Sequence, residues 1–108
     1  MKKKNIDAFA AIADPHRRKI IRMLAEGELT ISSLADKFDI SRPAISRHIK
    51  VLEENKLIRI TDFGRERYCQ LNPRGLREIF EWIKFYETFW HSKFNNLEAI
   101  MKHKKKTL

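Results

Sequence analysis

Between Thr30 and Glu54 the chain repeats apolar residues at helical spacing twice, with a break at Asp39-Ile40-Ser41. Ile31, Leu34, Ala35 and Phe38 fall at i, i+3, i+4 and i+7, so they share one face of a first helix, and Ile40 follows as a plug in the turn. Ile45, Ile49 and Leu52 form the stripe of a second helix, with His48 at its edge. Two short amphipathic helices joined this tightly make a helix-turn-helix. On the opposite side of the second helix the 3.6-residue period gathers Arg42, Pro43, Ser46, Arg47 and Lys50 into one surface strip. Ser41 is placed to cap the helix, and Pro43 is tolerated in a first turn whose amides have no helical partner.

A short strip rich in basic side chains and donors fits the major groove, where Arg or Lys donates to guanine edges and the remaining charges reach phosphates. A solvated helix face would carry similar residues. The next segment favours the groove. From Leu57 to Leu71 two β-type runs flank Phe63-Gly64-Arg65-Glu66, where the glycine permits a tight hairpin turn. A hairpin directly after a recognition-type helix is a wing, and it would bring Arg65 and Arg67 to flanking phosphates or the minor groove. The candidate DNA contacts are thus Ser41, Arg42, Pro43, Ser46, Arg47, His48, Lys50, Arg65 and Arg67.

With these segments in hand, the chain resembles the ArsR/SmtB-type winged-helix repressors. The matching stretches are Asp14-Pro15-His16-Arg17-Arg18 opening the second helix, Leu29 to Leu34 in the third, Ser41 to Leu52 in the fourth, and Asn72-Pro73 before a long last helix. The resemblance implies a mainly α fold with a small β-hairpin (α+β), about five helices plus a two-stranded wing, dimerising through the first and last helices. It also implies a homodimeric transcription factor, usually a repressor. A two-fold dimer presents two recognition helices, so its double-stranded DNA operator should be an inverted repeat with half-sites roughly 10 base pairs, or a multiple, apart.

The last helix adds its own constraint. Leu76, Ile79, Ile83, Tyr86, Trp90, Phe94, Leu97 and Met101 repeat at spacings of three, four and seven. Beside that stripe Trp82, Phe85 and Phe89 widen the apolar arc beyond what packing on one side of a small domain needs. Ile6, Phe9, Ala10, Ile12 and Ala13 predict an amphipathic first helix. Burying each large apolar side chain is worth roughly 1.5–3 kcal/mol, so a monomer would leave much unused. Ile6, Phe9, Trp82, Phe85, Phe89, Trp90, Phe94, Leu97 and Met101 are the predicted dimer interface, where the resembling family also dimerises. A cofactor or lipid pocket is the competing use of such a stripe.

A length of 108 residues with 43% hydrophobic content supports one domain, 5–101, between basic tails 1–4 and 102–108. No apolar run is long enough for a membrane span, and the Lys-rich start lacks a signal peptide's apolar segment, so a cytoplasmic protein is expected. One cysteine excludes an intrachain disulfide framework. Of 23 basic residues, Lys2, Lys3, Lys4, Lys102, Lys104, Lys105 and Lys106 lie in the tails, which leaves 16 basic against 14 acidic residues elsewhere. The net charge of +9 is therefore weaker support for nucleic-acid binding than the helix pattern.

Many members of the resembling family sense metals. One family site uses a Cys-x-Cys pair after a Glu-Leu pair, here Glu28-Leu29, but the pair's places hold Thr30 and Ser32, whose hydroxyls cannot replace thiolates for a soft metal. The other uses Asp and His along the last helix, where this chain offers His91 and His103 with Glu87 one turn before the former, at spacings unlike the family's. His16 and His48 read as structural or DNA-adjacent residues. Cys69 reads as core-facing, and a buried thiol is a poor nucleophile. No metal, no cofactor and no small-molecule effector is predicted. After the recognition helix the family's usual glycine is replaced by Lys56, preceded by Asn55; a left-handed turn there falls more cheaply on Asn55.

No nucleophile–base motif, phosphate-binding Gly-rich loop or metal-spaced acidic set supports an enzyme. Two other readings stay open: a winged-helix module used for protein contacts, and a metal- or redox-sensing variant of the repressor working through Cys69 or the His91/His103 region.

Overall fold

The computed structural model describes residues 7–107, apart from the side chains of Thr88 and residues 104–107. Each helix begins where a short polar side chain can accept from the free first-turn amides. Asp7 accepts from the Ala10 amide at 2.9 Å and opens α1, Ala8–Ala11. Asp14 accepts from the amides of His16 and Arg17 and opens α2, Pro15–Leu24, with Pro15 in the first turn. Thr30 caps α3, Ile31–Asp36, and Ser41 caps α4, Arg42–Glu54. The Asn72 side chain accepts from the Arg74 amide at 3.1 Å where α5, Pro73–Thr107, starts.

The wing is a hairpin of β2, Ile58–Phe63, and β3, Glu66–Leu71, in unbroken register from Ile58 opposite Leu71 to Phe63 opposite Glu66. Gly64 takes φ +64° in the two-residue turn, a conformation that glycine adopts without steric cost. A third strand, β1, Leu29–Thr30, pairs with the other edge of β3, Leu29 opposite Cys69 and Thr30 opposite Tyr68. The two-stranded expectation is thereby extended to three, and Leu29 and Thr30 leave the third helix to which the sequence assigned them. The cause is Thr30: its hydroxyl accepts from the Ser33 amide at 3.0 Å, which makes it the residue before the helix. Phe38 likewise lies beyond the end of α3, yet still packs against the core from the turn.

Ile20, Leu34, Ile45, Leu52, Leu57, Ile58 and Cys69 form the fully buried centre, drawn from α2, α3, α4, the wing and its lead-in. At about 1.5–3 kcal/mol per large side chain this cluster fixes the crossing of α3 and α4. The recognition-type helix closes with a Schellman motif: the Leu57 amide donates to Leu52 O at 2.9 Å and the Lys56 amide to Glu53 O at 3.0 Å. The left-handed residue is Lys56, φ +61°, and not Asn55, φ −98°. Asn55 is buried, and its amide side chain is already used in donating to Val51 O at 2.8 Å, which holds it as the cap residue.

Helix α1 packs on α5, with the Phe9 and Trp82 rings edge to face at 5.6 Å. Ile6 lies outside the described residues, as do Lys2, Lys3 and Lys4. At 1.5 Å per residue the 35 residues of α5 run about 52 Å, through the segment read as a basic C-terminal tail and far beyond the body of the domain.

Candidate nucleic-acid interface

Helix α4 presents Arg42, Pro43, Ser46, Arg47 and Lys50 to solvent, with Ser41 exposed at its start, while Ile45, Ile49 and Leu52 are buried beneath. The strip exists as one face because the cap from Ser41 to the Ala44 amide, at 3.2 Å, sets the helix phase against the core. Arg67 on β3 joins Ser46 and Lys50 around a shallow hollow between α4 and the wing, floored by Ile49 and Ile60. Arg65 stands exposed in the hairpin turn, and Phe63 beside it is 75% exposed, a wing-tip aromatic that β-alternation alone did not single out.

Two arginines of this surface hold intramolecular carboxylates. Arg42 lies 3.5 Å from Asp36 and Arg67 donates to Asp62 at 3.0 Å. All four side chains are more than half exposed, so each pair contributes little to stability and is open to exchange for a phosphate.

His48, read at the edge of the apolar stripe and among the candidate DNA contacts, stands apart from the strip. It is partly buried and turned toward α2, where its Nδ1 lies 3.2 Å from Arg17 Nη1 and its ring stacks on His16 at 5.4 Å. Asp14, His16 and His48 thus meet, with ligand-type atoms within 4.8 Å of one another, a cluster the sequence reading missed because α4 is supplied from far along the chain. Burial pushes the His48 imidazole below the ordinary histidine range; Asp14 opposes this, while Arg17, His16 and Arg47 reinforce it. Burial would raise the Asp14 carboxyl, but the amides of Arg17 and His16 and the charges of His48 and Arg17 hold it below the usual carboxylate range. Asp14 is thereby committed to capping.

Cys69 is fully buried, opposite Leu29 on one side and Ile60 on the other. Burial pushes its thiol up to about 11, so it carries almost no thiolate near neutrality. On α5, His91 Nε2 accepts from the Asn95 amide one turn away at 3.2 Å. Thr30 and Ser32 flank the start of α3, the former as its cap.

The aromatic arc of α5 is exposed in the single chain. Trp82, Phe85, Phe89, Trp90, Phe94, Leu97 and Met101 are each between 45% and 76% open to solvent. Phe9 is partly covered by its contact with Trp82. No helix among the described residues is long and apolar enough to cross a membrane.

A helix-turn-helix domain family, HTH_20, matches residues 12–61. The transcriptional repressor SdpR of Bacillus subtilis is 36% identical over 77 residues, covering 71% of this chain and 86% of its own length. The HTH-type transcriptional regulator Rv2034 of Mycobacterium tuberculosis is 44% identical over 72 residues, 67% of each chain. A crystal structure of an ArsR family transcriptional regulator superposes with a TM-score of 0.69 at 34% identity, over 79% of this chain and 88% of the other. The chain belongs to the ArsR/SmtB family of winged helix-turn-helix transcriptional repressors.

Proposed function

We propose that this DNA-binding regulator acts in the cytoplasm as a homodimer that holds an inverted-repeat operator and represses transcription there. The observation that carries the reading is the exposed strip of Arg42, Ser46, Arg47 and Lys50 on one face of a capped helix, flanked by Arg65 and Arg67 on the wing. Donors on a groove-sized helix read base edges, and the wing cations anchor the register on phosphates. The open aromatic arc of α5, joined to Phe9 of α1, supports a second copy as the partner that covers it. Two recognition helices related by that axis would reach half-sites one helical turn or a multiple apart.

The test is fluorescence anisotropy at physiological salt, with excess nonspecific DNA, on duplexes from upstream of the protein's own coding region. Saturable nanomolar binding to one duplex, lost in Arg47→Ala, is the expected result. Equal binding to every duplex, seen only at low salt, would overturn the reading and favour a protein-docking role for the wing.

A further inference from the structure

We propose that Arg17 is a positioning residue for DNA recognition, holding helix α4 in place through the neutral imidazole of His48. The inference rests on the DNA-binding reading of the α4 strip.

One guanidinium joins three helices. Arg17 Nε donates to Ala11 O at 2.6 Å and Nη2 to Ala10 O at 3.5 Å, so it ties the carbonyl end of α1 to its own place in the first turn of α2. Its remaining nitrogen, Nη1, faces His48 Nδ1 at 3.2 Å in the middle of α4. A guanidinium only donates, so Nδ1 must accept and the ring proton of neutral His48 sits on Nε2. The imidazole cannot rotate away easily. His16 stacks on it at an interplanar angle of 25°, and His16 is in turn backed by Phe38 at 6.0 Å.

The same geometry argues against a metal in the Asp14, His16 and His48 cluster. Asp14 Oδ1 already accepts from the His16 amide at 2.7 Å and the Arg17 amide at 3.2 Å, and the His48 lone pair points at a fixed positive charge. Burial and the Arg17 charge favour the neutral imidazole as an acceptor, against the opposing charge of Asp14.

His48 follows Arg47 directly and Ser46 by two positions, so displacement of its backbone moves the contact strip. The groups facing His48 are Asp14, His16 and Arg17 from α2 and Arg47 from its own helix, whereas Ala8–Ala11 of α1 carries no ionisable side chain. A proton on Nδ1 would set cation against cation and remove the acceptor. The hold on α4 then weakens as pH falls below the ordinary histidine range.

The test compares the intact wild type with Arg17→Gln, Arg17→Lys and His48→Asn, using the duplex that the wild type binds tightest and an unrelated duplex, at pH 7.5 and 5.5, with thermal melts as the folding control. Asn is chosen because its Oδ1 can accept near the place of Nδ1 and does not titrate. Arg17→Gln is expected to lose about tenfold on the preferred duplex with little change on the unrelated one, and Arg17→Lys, which keeps the charge without the fork, is expected to lose nearly as much. His48→Asn is expected to lose the extra weakening that the wild type shows between pH 7.5 and pH 5.5, whatever its affinity at pH 7.5. Equal losses on both duplexes, a Lys variant that binds like wild type, or a pH profile unchanged by His48→Asn would each overturn the proposal. Should Arg17→Gln fail to fold, the His48→Asn profile decides, along with imidazole nitrogen shifts showing whether His48 carries its proton on Nε2. A wild type with no preferred duplex removes the DNA-binding reading and this inference together; a preferring wild type matched by Arg17→Gln removes this inference alone.

Discussion

The amide of Gly75 donates to the carbonyl of Lys56 at 2.8 Å, which ties the first turn of α5 to the residue that ends the recognition helix. A Cβ at Gly75 would lie 2.6 Å from both Asn55 O and Lys56 O. These are backbone atoms of a closed helix end and cannot swing aside. Gly75→Ala is expected to destabilise the fold by about 1–3 kcal/mol, as overpacking does. Urea unfolding with an unchanged slope measures it, and a loss below roughly 0.5 kcal/mol would show that the junction yields.

Lys56 occupies the left-handed region at φ +61° with a side chain exposed to solvent. Glycine adopts that conformation without the Cβ penalty, although it gains freedom in the unfolded chain. Lys56→Gly is expected to raise stability by about 0.5–1 kcal/mol. A lowered melting temperature would refute the account of this helix end.

Asp36 lies 3.5 Å from Arg42 on an exposed face, so it would compete with DNA for that arginine if Arg42 makes the proposed contact. Asp36→Asn frees the arginine and removes a negative charge near the phosphates, so DNA affinity should rise about two- to fivefold at low salt and the gain should shrink as salt is added. Affinity that falls or stays level across a salt titration would place Arg42 outside the contact.

Phe85 is 76% exposed in the single chain. If α5 meets a second copy there, Phe85→Glu buries an unpaired charge in that contact and should shift sedimentation from dimer toward monomer at micromolar concentration, with operator affinity falling in parallel. A variant that sediments as wild type would move the interface elsewhere on α5.

Cys69 is held neutral by burial, with its thiol pushed up to about 11 from an ordinary 9.0; Arg67 opposes the shift and Glu53 adds to it. A folded-state value above the unfolded one means that the associated stability is intact below about pH 9 and is lost as pH rises toward 11. The native protein should therefore resist thiol reagents at pH 7.5 and react fully once unfolded in urea. Rapid labelling of the folded chain at pH 7.5 would reinstate a redox role.

Features set by local pattern were legible in the sequence: the stripe of Ile45, Ile49 and Leu52, the cap Ser41, the wing turn at Gly64, and the core place of Cys69. What escaped were partnerships between distant segments. His48 reads from its helix alone as a stripe-edge residue, structural or DNA-adjacent, and only the packing of α2 against α4 brings it to Arg17. Lys56 took the left-handed place because the Asn55 side chain was claimed by Val51 O, a competition that conformational preference does not include. The strand at Leu29–Thr30 is too short to carry alternation and exists because the free edge of β3 offers it partners. The need for glycine at position 75 comes from carbonyls nineteen and twenty positions earlier, which no local pattern reports.

Thr30 belongs to two structures at once, as the cap of α3 and as the strand residue opposite Tyr68. The hairpin is consequently clamped along both edges of β3 and cannot pivot about the end of α4 as a free flap. If α4 and the wing both engage a duplex as proposed, that clamp would fix the spacing between the groove and the neighbouring backbone, and fit to an imperfect site would fall to bending of the DNA, so that stiffness would count at positions no side chain touches.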